Sequence, residues 1–207
     1  MRNGDGDNLK HQDLWLEPTI THGHFHSGEE IILRIYSGYN MKPFPSQDAQ
    51  GLEAYLVHHH DKHLVPVIEQ NDNLEINLGE QNDGLIQSYV QRLTPSAEYY
   101  GKIILEIGHH HHHHIKPIGL PLEMVPADDS HARMGAQYEL QVLKDGHPYA
   151  GAEVRVTYAS TNNPDYPHRI ISNENGNIKV FMSASGNYLF SVQDGNTVST
   201  LTVVKGN

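Results

Sequence analysis

Short runs in which apolar and polar residues alternate, separated by Gly, Asn, Asp and Pro, fill this chain from His11 onward. A period of two puts successive side chains on opposite faces, so such runs predict β-strands with one face buried. In the first half they are EEIILRIY (Glu29 to Tyr36), LEAYLVH (Leu52 to His58), HLVPVI, NLEINL, LIQSYVQR and EYYGKIILEI. The last is long enough to cross a sandwich face. No run has a convincing helical period.

The character changes after Gly108, where six His lead into IKPIG and LPLEMVP. Pro and Gly on either side of a new strand predict a linker, with the boundary near His114 to Ile118. AQYELQVL, AEVRVTYAS, HRIIS, NIKVFM, NYLFSVQ and TVSTLTVV then follow one another across the turns DGHP, NENGN and DGN. Asp-Gly and Asn-Gly between alternating runs are strong hairpin signals. Turns recurring at intervals of roughly 8–12 residues suggest a sandwich. The expected fold is all-β, with two tandem β-sandwiches of Ig-like type. Residues 1–10 are expected to be a disordered leader, 11–108 an N-terminal, metal-binding sandwich, 109–118 a His-rich linker and 119–207 a C-terminal sandwich.

The chain has 207 residues, no Cys, and 14 Lys and Arg against 25 Asp and Glu, a formal charge of −11. Without Cys there is no disulfide, thiolate nucleophile or Cys-based metal knuckle. A nucleic-acid partner held by a basic patch is excluded by the charge balance. No apolar run approaches the roughly 18 residues of a transmembrane helix, and MRNGDGDNLK carries no apolar signal region. Sequences of the nucleophile-elbow, P-loop, dinucleotide-binding and H-E-x-x-H types are missing, so an enzyme is not expected.

The unusual count is 17 His. Full protonation of these imidazoles would carry the formal charge from −11 to +6, and imidazole changes charge between about pH 5 and 8. Thirteen of the 17 fall into three tracts. In THGHFHSG, an extended backbone would line His22, His24 and His26 along one face, a spacing that can bring ring nitrogens to one metal. VHHHDKHLV carries His58, His59, His60 and His63 in what resembles a hairpin tip, with Asp61 placed to orient an imidazole. His109, His110, His111, His112, His113 and His114 form an uninterrupted run that chelates promiscuously and suits capture better than precise coordination. The bland alternatives are a solvated loop, a polar hairpin tip that keeps an edge soluble, and a purification-tag-like run. His131, His147 and His168 are expected to be structural: the first a cap on a solvated loop, the second part of the turn DGHP, the third the start of a strand.

The chain resembles a family of extracytoplasmic proteins described as the periplasmic component of cobalt/nickel ABC-type (energy-coupling factor) transport systems, and otherwise as a domain of unknown function. HQDLWLEP looks like the family opening H-D-x-W-L-x-P, and GLPLEMVP matches its G-L-P-L-E-I-V-P segment. VLKDGHPYAGAEVRV and SNENGNIKVFMSASGNYLFSV match two later hairpins. The resemblance implies an exported protein, periplasmic or at the cell surface, with a second domain similar to transthyretin-like or collagen-adhesin B-type modules. His11 matches the opening His and is thereby a candidate ligand, with a neighbouring backbone or amine nitrogen.

The leading expectation is capture of Ni²⁺ or Co²⁺ by these His and delivery to a membrane-embedded uptake transporter. Thiol-free imidazole donors suit these metals, with Zn²⁺ or Cu²⁺ buffering as a variant, since affinity order alone favours Cu²⁺. The alternative is a structural or adhesion module of Ig-like domains in which the His tracts are incidental or pH-sensing.

Overall fold

The computed structural model describes residues 12–20, 25–58, 61–108, 114–127 and 131–205. Among these the chain is built of strands and turns, with no helix. The first half contains β1 (Asp13–Pro18), β2 (Glu30–Tyr39), β3 (Lys42–Pro43), β4 (Leu52–His58), β5 (Asp61–Val65), β6 (Val67–Gln70), β7 (Asn73–Glu80), β8 (Gly84–Leu93) and β9 (Glu98–Ile107). The second contains β10 (Leu122–Pro126), β11 (His131–Ala132), β12 (Gln137–Lys144), β13 (His147–Pro148), β14 (Glu153–Tyr158), β15 (His168–Ile171), β16 (Asn177–Phe181), β17 (Tyr188–Asp194) and β18 (Thr197–Lys205).

The alternation does what its period demands. In β2, Ile31, Leu33 and Ile35 point into the core while Glu30, Ile32 and Arg34 between them stay at least partly exposed. Hairpins close where the backbone can turn left-handed: Asn71 and Asp72 both have positive φ between the paired residues Gln70 and Asn73, the type I′ geometry that matches strand twist. Pro66 separates β5 from β6, and the chain there passes from one sheet to the other.

The halves share a wall. Strands β15, β14, β17, β18, β9, β8, β4 and β5 lie side by side in one nine-stranded sheet, β11 being attached to β18. The join is β9 against β18, in parallel, from Glu98 beside Thr197 to Ile103 beside Thr202. A five-stranded sheet of β1, β2, β7, β6 and β3 covers the first half of this wall, and a four-stranded sheet of β10, β12, β13 and β16 covers the second. They cover opposite faces. Ile103 and Val204 belong to the first core, and their neighbours Ile104 and Val203 to the second; successive residues of a strand face opposite ways.

β1 lies over the join. Thr200 Oγ1 donates to the Leu14 carbonyl at 2.6 Å. At Gly101 the chains approach so closely that a Cβ would stand 2.5 Å from that same oxygen. Asp13, fully buried, accepts from Ser191 Oγ at 2.7 Å, from the Tyr166 hydroxyl and from the Asn40 N–H. On the other side of the wall Lys102 meets Glu123 at 2.5 Å, both 1% exposed. Glu123 also accepts the N–H groups of Ile118, Gly119 and Leu120 at 2.8–3.2 Å. The stretch expected as a linker is therefore packed where it is described: Ile115 sits in the second core, and Ile118 and Leu120 lie against Tyr89 and Tyr100.

A histidine-rich end as candidate metal centre

The described members of the three His tracts, His26, His58, His63 and His114, adjoin one end of the first sandwich. The start of β8 forms its centre, paired with β4 through Gln87 beside Val57 and with β9 through Gly84 beside Ile107. The end of β4, the start of β5 and the end of β9 consequently lie together. Phe25 forms a parallel bridge with Ile107, and Gly108 N–H donates to the Phe25 carbonyl at 2.8 Å. His26 directly follows Phe25, and the run beginning at His109 directly follows Gly108. Phe25 and Gly108, more than eighty residues apart in sequence, thus meet beside the start of β8.

Among the described His of the tracts, His58 and His63 are in ring contact. β4 ends at His58 and β5 begins at Asp61, and the register sets His58 opposite Asp61 and Leu56 opposite His63. His58 and His63 are therefore diagonal neighbours on one face of the hairpin. Their ring centroids are 6.1 Å apart, with planes inclined at 64°. His58 also lines a cleft of about 570 Å³ with His114, and Gln81, Asp83, Gln87 and Lys116 share its walls. Gln87 Nε2 donates to the Lys116 carbonyl at 3.0 Å, which fixes the segment after His114 against β8. His26 is exposed in a turn closed by Glu29, whose Oε2 accepts the His26 N–H and whose N–H donates to the His26 carbonyl, both at 3.0 Å.

His11, His22, His24, His59, His60, His109, His110, His111, His112 and His113 lie outside the described residues. Among the described residues no group of three or more His, Asp or Glu is arranged to hold a metal ion. What this end brings together is an imidazole pair, a third imidazole across a cleft, and one carboxylate, Asp83, in that cleft. Lys116 also lines that cleft.

Of the remaining His, His147 is in its turn, Nδ1 at 2.9 Å from the Asp145 carbonyl, and His168 opens β15. His131 corrects the expectation of a solvated loop cap. Its side chain is 11% exposed and Nδ1 stands 3.3 Å from Glu106, so it joins β11 to β9 across the seam.

Other residues were not anticipated from the sequence. Asp13 and Glu123 each lie inside a motif, HQDLWLEP and GLPLEMVP, whose interest in the sequence was a terminal His and a domain start. In the structure both motifs build the seam. Burial lowers the Lys102 ammonium below its ordinary value, and the Glu123 charge and hydrogen bond raise it in part. Burial likewise pushes the Tyr166 phenol well up, helped by the neighbouring Asp13 carboxylate.

A family model, Domain of unknown function (DUF4198), matches residues 79–194, more than half of the chain. The chain belongs to the DUF4198 family. The matched span runs from the end of β7 across β9 and the packed connection into β17, so the DUF4198 signature crosses the seam and includes both Lys102 and Glu123. No curated protein matches the sequence. Among solved structures, the D0-D1 domain of intimin is 14% identical, covering 93% of this chain and 97% of that one, at a TM-score of 0.30. The fibronectin(III)-like modules of Clostridium thermocellum CbhA are 8% identical, covering 93% of each chain, at a TM-score of 0.31. A chimeric titin Z1Z2 is 11% identical, covering 93% of this chain and 97% of that one, at a TM-score of 0.29. The all-β class rests on the strands and sheets of the chain itself.

Proposed function

We propose that this DUF4198 protein is an extracytoplasmic β-sandwich protein that captures Ni²⁺ or Co²⁺ at its histidine-rich end and passes the ion to a membrane-embedded uptake transporter. The observation that supports the reading is His58 beside His63, with His114 lining the same cleft as His58. Imidazole donors without thiolates suit these borderline divalent ions. A pair of ordered imidazoles supplemented by neighbouring His is a capture device of low denticity, and low denticity favours release to a stronger site. Binding requires neutral rings, so affinity falls as the solution is acidified.

The test is calorimetry with Ni²⁺ on a variant in which His109 through His113 are each replaced by Ser, leaving His114. Binding that persists in this variant and weakens at least tenfold in His58→Ala and His63→Ala supports the reading. Binding that disappears with the run, or ignores His58 and His63, overturns it.

A second reading is a structural or adhesive module. The continuous nine-stranded wall and the buried contacts across it favour a body made to stay rigid. Among the described residues this scaffold is better supported than a finished metal site. It predicts no stoichiometric metal once the run is replaced.

A further inference from the structure

The second half is open along one side. β15 ends the nine-stranded sheet, and β16 lies at the margin of the four-stranded one, where among the described residues it pairs with β12 alone. The main-chain pairing shows which groups of β15 are left over. Ala159 N–H donates to the Asn187 carbonyl and Ser172 N–H to the Ala152 carbonyl, both at 2.9 Å. Hydrogen-bonded pairs recur at every second residue of an antiparallel ladder. His168 and Ile170 therefore bond to β14, while Arg169 and Ile171 turn their N–H and C=O groups to the free side. A cleft of about 450 Å³ opens beside them, walled by β15 and β16. Among the described residues its lining includes His168, Arg169 and Lys179 but no Asp or Glu. At its rim Ile171 is 60% exposed and Phe181 57%.

We infer that β15 and this cleft receive an extended segment of a partner protein, added as a further strand, which carries an acidic side chain and an apolar one two positions apart. The inference does not depend on metal capture, since β15 and β5 end the sheet at opposite margins. An added strand satisfies the outward N–H and C=O groups of Arg169 and Ile171, and sets its own side chains beside theirs. The spacing of the recognised residues follows from that pairing. The position opposite Ile171 covers apolar surface now in water, and the position two residues away meets the Arg169 guanidinium. Lys179 brings a second cation from β16. Arg169 already pairs with Glu153 at 3.0 Å and Asp165 at 2.9 Å, and Lys179 with Glu139 at 3.0 Å. Every side chain in these pairs is more than a third exposed, and such pairs are weak enough to admit another carboxylate. A cation on a sheet edge also turns away basic strands, so it selects as well as attracts. The chain's formal charge of −11 disfavours a long acidic tract, which leaves the single carboxylate as the recognised feature.

The experiment is fluorescence anisotropy on the full chain with the labelled peptide Thr-Val-Thr-Glu-Thr-Val-Thr-Glu, whose Val and Glu alternate along one face, and with the same peptide carrying Lys in place of Glu. The expected result is saturable binding of the first peptide, about tenfold tighter than the second. Ile171→Pro removes an outward N–H that makes no bond to β14, and should abolish binding. Ile171→Ser, a change at an exposed side chain, covers the case in which the Pro variant does not fold. It should weaken binding by about tenfold with the melting temperature unchanged. Arg169→Ser should make the two peptides bind alike. Failure of both peptides to bind the natural chain would overturn the strand-acceptor site. Equal binding of the two would overturn the acidic occupant, and binding unchanged in the Ile171 variants would overturn the placement at β15.

Discussion

Lys102 and Glu123 form a buried ion pair at 2.5 Å on the opposite side of the shared wall from the Asp13 network. Lys102 belongs to the first half's last strand, and Glu123 holds the turn that leads into the second half. Removing a single partner leaves a charge without compensation in the interior, which costs about 3–5 kcal/mol. Lys102→Met should lower unfolding free energy by that amount in urea denaturation, and both halves should melt in one transition. In a cycle with Glu123→Gln the double variant should lose less than the sum of the single losses. A loss below about 1 kcal/mol, or two separate transitions, would show that the pair is not what fastens the halves together.

Asp13 fastens the other face. Asp13→Ala removes the buried carboxylate that accepts from the hydroxyls of Tyr166 and Ser191 and from the Asn40 N–H. The expected cost is about 2–4 kcal/mol. Hydrogen exchange should locate the damage in β1 and in the segment around Tyr166 together. Loosening of β1 alone would mean that this residue serves only its own sheet.

The same seam has an acid-sensitive rim. Asp165 accepts hydrogen bonds from the Tyr39 hydroxyl, the Tyr166 N–H and Arg169, and these hold its carboxyl at about 2, below an ordinary 3.8. A carboxyl lowered by folding stabilises above its unfolded value and loses that contribution as pH falls through the folded one. More than half of the side chain is exposed, so the contribution is screened to about 0.5–1 kcal/mol. Asp165→Asn should therefore melt earlier than the natural chain at pH 7, and the gap should close between pH 4 and 2. A gap independent of pH would assign the effect to shape and not to charge.

Much of this architecture is legible in the alternation of residues. LEAYLVH becomes β4 and EYYGKIILEI becomes β9 with the boundaries the pattern suggests, because local burial on one face is all that a period of two requires. The join between β9 and β18 leaves no such trace. Parallel neighbours from separate halves need no turn, and a strand buried on both faces reads the same whichever strand lies beside it. β1 was hidden for a related reason: DLWLEP is short and closely flanked by polar residues, and its burial comes from the wall it crosses. In the candidate site, clustering of His was visible, as was the hairpin that holds His58 and His63. Their sharing of one end with His26 and His114 depends on the bridge from Phe25 to Ile107, a long-range contact without a sequence signature.

The most direct test of the account is the metal content of protein prepared without a nickel column, measured by elemental analysis on the chain with His109 through His113 replaced by Ser. The account predicts about one Ni or Co per chain, and loss of most of it when His58→Ala and His63→Ala are added. No bound metal in the first protein, or equal metal in both, would contradict it.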